Sequence, residues 1–116
     1  MISLSMPWPD SALSPNAPKR HWRSKSEARI TARNDGQYLV YGKTMANEPM
    51  QVTVTFFPPD RRRRDLDNLL ASIKPTLDGI CLGLGTDDSN FRRIILEWGD
   101  VVSGGNVKLV ISEVKA

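Results

Sequence analysis

Ten consecutive residues constrain this chain more than any others: Asp60-Arg61-Arg62-Arg63-Arg64-Asp65-Leu66-Asp67-Asn68-Leu69. Four arginines run straight into two carboxylates one residue apart. An apolar, strand-like run, Val52 to Phe57, leads in, and a helix-like pattern leads out. Arginine forks bind phosphate oxygens bidentately. Clustered aspartates suit Mg²⁺, which takes hard oxygen ligands and a substrate phosphate together. The combination points to metal-dependent chemistry on a polyphosphate backbone.

The spacing of Asp65 and Asp67 limits how they can cooperate. Two residues apart on a helix, they would point about 200° from each other. In extended chain they share a side. Both serve one metal only if Asp65 stands outside the helix as its N-cap, with Asp67 in the first turn. Plain capping accounts for the same two residues, since an acid at a helix start suits its dipole. The arginine run alone reads equally as a solvated basic edge. Density separates the readings, because a basic run abutting acids is a poor capping device and a good phosphate-plus-metal site.

At 116 residues the chain is one domain, 1–116, with room for a small core. Its 40% hydrophobic and 25% charged residues are those of a soluble globular protein. No apolar run reaches the roughly 20 residues of a membrane span, and the N-terminus carries no secretory signal pattern. The net charge is only +3, but the basic residues are segregated. Lys19, Arg20, Arg23, Lys25, Arg29 and Arg33 form one group, Arg61 to Arg64 a second, and Arg92 with Arg93 a third. Such segregation is the footprint of a nucleic-acid binder. One cysteine, Cys81, excludes an internal disulfide and reads as a small buried apolar residue. A lone histidine, His21, argues against a zinc site.

Taken in order, Met1 to Met6 alternates as a half-buried strand. Pro7-Trp8-Pro9-Asp10 stops it, and an irregular loop follows to about Lys19. This loop offers Asn16, Lys19, Arg20 and His21 to phosphates or bases, or is simply a surface loop. Residues 22–34 are polar and either begin a helix or stay irregular. Asp35 is read as the cap of a helix through Leu39 and Met45, with a short strand over Gln37 to Tyr41 as the alternative. Met50 to Phe57 alternates cleanly and is a strand, ended by Pro58-Pro59.

The helix after Asp65 carries Leu66, Leu69, Leu70, Ile73, Leu77 and Ile80 on one stripe. Asp67, Ala71, Lys74 and Asp78 form a neighbouring polar stripe. Lys74 stands about 10 Å along the axis from Asp67, within reach of a phosphate bound near it. Pro75 should kink this helix. Gly79, Gly83 and Gly85 read as a loop leading to Asp87-Asp88. Phe91 to Trp98 and Val107 to Val114 read as strands, joined as a hairpin by Ser103-Gly104-Gly105-Asn106.

These residues resemble the RusA-type Holliday junction resolvases of bacteria and phages. The likeness starts at Met6-Pro7-Trp8-Pro9, is strongest over Pro59 to Leu69, and continues through Leu77-Asp78-Gly79 to Asp87-Asp88. It implies an α/β (α+β) fold: a mixed sheet of about four to five strands with two helices. It implies a homodimeric endodeoxyribonuclease using Mg²⁺, with Mn²⁺ as an alternative ion, in the cytoplasm of a bacterial or phage-infected cell. By motif position, Asp65, Asp67 and Asp88 are the metal-binding carboxylates, with Asp87 left open. Arg61, Arg62, Arg63, Arg64, Asn68, Lys19, Arg20, His21 and Arg23 are the expected DNA contacts. The family's lysine three residues after the asparagine is Ala71 here, and Lys74, one turn on, is the candidate substitute. Two other readings stay open: a broader branched-DNA nuclease, and a DNA-binding protein whose site has decayed.

Overall fold

The structure, a computed structural model, describes residues 1–16 and 22–114. It holds a mixed four-stranded sheet and two long helices, the α/β class expected. In chain order these are β1 (Ile2–Met6), α1 (Trp22–Leu39), β2 (Met50–Phe57), α2 (Leu66–Leu84), β3 (Phe91–Trp98) and β4 (Asn106–Glu113). They fall into two compact units. One comprises Met1–Trp8, Glu48–Leu66 and the chain from Ser89 on; the other comprises Pro9–Asn47 and Asp67–Asp88. No helix among the described residues is long and apolar enough to cross a membrane.

The first unit is the sheet, ordered β1-β4-β2-β3. β2 is its centre, antiparallel to β4 and parallel to β3. The alternation of β2 is expressed directly: Met50, Val52, Val54 and Phe56 are fully buried. Residues paired across strands share a face. The register sets Val54 beside Leu109, and Leu109 beside Leu4, while Phe56 meets Val107 and Val107 meets Met6. These rows form one continuous apolar layer. Thr53, Thr55, Lys108, Ser3 and Ser5 occupy the other face of the same strands.

The hairpin expected between β3 and β4 does not form, because β2 lies between them. Alternation and turn composition identify strands but carry no information on which strand pairs with which. The connection instead passes the end of β2. The Gly99 amide donates to the Phe56 carbonyl at 2.8 Å, and the Val102 amide to the Pro58 carbonyl at 2.9 Å. Gly104 and Gly105, at φ +79° and +73°, complete the turn.

The second unit is built on two helices and a short 3₁₀ turn, Ser11–Leu13, capped by the Asp10 side chain. α1 departs from expectation in extent. It begins at Trp22 and ends at Leu39, so Asp35 lies inside it rather than capping it. The reason is its stripe: Ala32, Gly36 and Val40 are buried four residues apart, with Ala28 half-buried above them. Small side chains give almost no hydrophobic signal, yet they let a neighbouring backbone come close.

α2 also runs past its expected end. It continues through Pro75, Gly79 and Gly83 to Leu84, so the first two glycines are helical and only Gly85 belongs to a turn. A Cβ on Gly79 would collide with the Arg33 backbone, one on Gly36 with the Thr76 carbonyl, and one on Gly83 with Val40. Gly36 and Gly79 are where the two helices touch backbone to backbone, and Gly83 makes room for the Val40 side chain. Gly85, at φ +77°, ends α2 in a double cap: its amide donates to Leu82, and the Thr86 amide to Cys81 at 3.0 Å. Leu69, Ile73, Leu77, Ile80 and Leu84 are buried along α2. Cys81 is buried as expected, and burial pushes its thiol up to about 12.

Substituting Gly79→Ala should lower stability by about 2–4 kcal/mol, because backbone rather than a flexible side chain blocks the added methyl. Gly42→Ala, at φ +76° in open space, should cost only about 1 kcal/mol. Urea unfolding midpoints of the two variants check the ranking.

Candidate functional site

The arginine run is folded by one of its own members. Pro58 and Pro59 close β2, since proline cannot extend the ladder. Asp60 then turns the chain: its carboxylate accepts from the Arg62 amide at 2.9 Å and from Arg64 Nη2 at 2.8 Å. Arg64 Nη1 donates to the carbonyls of Asp60 at 3.2 Å and Arg62 at 3.1 Å. Its guanidinium also lies 5.3 Å from the centre of the Trp8 ring. Trp8 meets Phe56 edge-on at 6.1 Å, and Phe56 meets Trp98 at 6.3 Å. The backbone amide of Arg62, then Arg64, holds the Asp60 carboxyl below its usual 3.8.

Arg64 is thus committed to the loop, half-buried, while Arg61, Arg62 and Arg63 are exposed. Strand-like alternation predicts that about half of the four face DNA; three are exposed instead. A carboxylate four residues before Arg64 was the available signal of its separate role. The loop and the β3–β4 connection border a shallow, open groove of about 320 Å³, lined by Asp60 to Arg64 and by Pro58, Trp98, Gly99 and Val101.

Asp65 immediately precedes α2, and Asp67 lies in its first turn. Both are exposed, and Asn68 is half-buried. The polar stripe reads as expected, with Asp67, Ala71, Lys74 and Asp78 all exposed. Asp87 and Asp88 are exposed where a short 3₁₀ turn, Asp88–Asn90, begins. The Asp88 carboxyl is raised above the usual range. Its hydrogen bond to Asp87 is the main cause, joined by the charges of Asp78 and Asp87, and Lys74 opposes them. Lys74, Asp78, Asp87 and Asp88 therefore share one local field. Asp78 was not among the expected site residues, although its place on the polar stripe was visible. Of the remaining expected contacts, Arg23 lies in the first turn of α1, while Lys19, Arg20 and His21 lie outside the described residues.

Among the described residues, no group of three or more His, Cys, Asp or Glu is assembled so that it could hold a metal ion. The donor chemistry nonetheless suits a hard divalent cation: the donors are exposed carboxylate oxygens, and at Asp87–Asp88 two of them lie close enough to raise the Asp88 carboxyl. A cation relieves that repulsion directly.

Asp60→Asn should loosen the loop with a defined pH signature. A depressed carboxyl stabilises the fold fully above its ordinary value and loses that contribution as pH falls through the folded-state value. The melting temperature of the variant should therefore lie below the parent's at neutral pH. The gap should close only below about pH 4, where the parent's Asp60 is also protonated. Calorimetric scans from neutral to acid pH test this.

No protein-family model matches the chain. It is 36% identical over 118 residues to an uncharacterized protein of Xylella fastidiosa, covering 97% of this chain and 76% of that one. It is 30% identical to the crossover junction endodeoxyribonuclease RusA of Escherichia coli K12, over 96% of this chain and 93% of the relative. The crossover junction endodeoxyribonuclease of Enterobacteria phage 82 is 32% identical, over 95% and 92% of the two chains.

Proposed function

The chain belongs to the RusA family of crossover junction endodeoxyribonucleases, and from that premise we propose that it resolves four-way DNA junctions by paired nicks in recombination and repair. The observation that carries this reading is the exposed arginine shelf, Arg61 to Arg63, linked through the half-buried Arg64 to the exposed Asp65 and Asp67. Phosphate binding and acid-based hydrolysis chemistry are thereby near neighbours along a chain that spans 93% of the Escherichia coli relative.

Asp65, Asp67 and Asp88 would hold Mg²⁺, or Mn²⁺ in its place. When bound, the ion supplies Lewis-acid polarisation of the scissile phosphate and acidifies a water. The remaining work falls to this chain's own groups. Arg61, Arg62 and Arg63 grip backbone phosphates on either side of the cut and set its register. Asn68, one residue beyond Asp67, offers an amide to the same backbone. Lys74 takes the part that Ala71 cannot play. Its ammonium already bears on Asp88, so it stands where a neighbouring phosphate would feel it too. A four-way junction has two-fold symmetry, so two active sites in a homodimer match its paired nicks.

Ala71 favours one other reading, a junction-binding protein that no longer cuts. Nicking of a labelled four-way junction with and without Mg²⁺ decides between them, and flaps and plain duplex measure how strict the preference is. Asp65→Asn, Asp67→Asn and Asp88→Asn should each abolish cutting while keeping junction binding within about threefold, since phosphate contacts carry most of the affinity. Lys74→Ala should slow cutting about a hundredfold. Mg²⁺ should raise the melting temperature of the parent and not of Asp67→Asn. Junction binding without cutting by the parent would leave only the binding role.

A further inference from the structure

Trp98 has no part in the chemistry described above, yet it is a large aromatic side chain left 45% exposed at the end of an edge strand. Val101, in the connection just beyond it, is 47% exposed. Both line the groove whose other wall is the arginine run. Exposed apolar groups gathered in a charged concavity mark a binding surface more often than chance placement. Here the surface has two chemistries side by side. Pro58, Trp98 and Val101 give an apolar floor, and Arg61 to Arg63 give a cationic rim. The carboxylate on the groove, that of Asp60, is already engaged by Arg64 and does not cancel the rim.

Trp98 is also held in place. Phe56, fully buried on the central strand, packs against it at 6.3 Å with the rings inclined by 56°. The amide of Gly99 is anchored on the Phe56 carbonyl, fixing the backbone on the other side of Trp98. The ring thus has a buried aromatic neighbour and an anchored backbone beside it.

We propose that this groove is a stacking subsite for one unstacked nucleobase of a branched DNA, with Trp98 beneath the base and Arg61 to Arg63 on its flanking phosphates. The assignment rests on the reading of the chain as a branched-DNA nuclease and specifies what it reads at the branch. A paired duplex hides the faces of its bases, whereas a junction centre or a single strand presents them. The groove, shallow and open at about 320 Å³, has room for one base against Trp98 and not for a helix. Arginine beside an aromatic platform is the general means of holding unpaired strands. Trp98 therefore discriminates branched from continuous DNA, while the arginines bind both.

The test uses the full chain without Mg²⁺, so that binding is read separately from cutting. Anisotropy would measure binding to a single-stranded oligonucleotide, a four-way junction and a blunt duplex of equal length. Trp98→Leu should weaken the first two about tenfold and leave the duplex within about twofold. Trp98→Phe, which restores a ring, should return binding to within about twofold of the parent. Single-stranded DNA should quench the parent's tryptophan emission, and most of that quenching should be absent in Trp98→Phe. Equal affinity of Trp98→Leu and the parent for all three DNAs overturns the proposal. So does an equal loss on all three, which would make Trp98 a support for the arginines only. If Trp98→Leu fails to fold, the quenching comparison decides alone, and undiminished quenching in Trp98→Phe overturns the subsite. A chain that binds single strands through Trp98 but never cuts a junction keeps this subsite and loses the nuclease reading. The reverse result loses only the subsite.

Discussion

Four adjacent guanidinium groups repel one another, by about 0.6 kcal/mol for each pair some 6–7 Å apart in water. The fold meets this by withdrawing one of them. Arg64 ties the carboxylate of Asp60 and two backbone carbonyls together and lies over the Trp8 ring. That single side chain turns a repelling run into a closed loop, leaves three arginines facing outward, and delivers the chain to Asp65 at the threshold of α2. The ring of Trp8 that receives Arg64 rests on Phe56, so the loop is referenced to the centre of the sheet. Lysine in place of Arg64 would supply the charge but not the planar fork that reaches three acceptors at once.

Much of the sheet was legible because alternation is a strong signal. β2 and β3 match their expected limits, and β1 and β4 differ from theirs by a residue at one end or both. The start of α2 was legible for a related reason, since Asp65, Asp67 and the apolar stripe mark it independently. Failures occurred where the physics depends on partners. α1 buries Ala32 and Gly36, whose value lies in how near another backbone can come. Gly79 and Gly83 carry the same message, and read locally they say turn. The order of strands is a property of the whole sheet, so a good turn sequence at Ser103–Asn106 gave the wrong neighbour for β4.

For the candidate site, residue identity was more legible than residue role. The acids at the head of α2 and at Asp87–Asp88 stand out by type and spacing. That Asp87 and Asp78 raise the Asp88 carboxyl, with Lys74 opposing, required the folded structure. So did the split of one homogeneous arginine run into a structural member and three free ones. A run of identical letters conceals such division, because the difference lies in what each side chain can reach.

The buried sulfur of Cys81 bears on how the protein can be handled. A thiol with a value near 12 is ionised about a thousandfold less at neutral pH than an ordinary cysteine. Maleimides and mild oxidants attack the thiolate, so the buried native sulfur should react far more slowly than an exposed one. A second cysteine introduced on the exposed surface would be the one reactive handle, with no need to delete the first. Dyes or cross-linkers could then be attached at a chosen position on an otherwise unaltered chain.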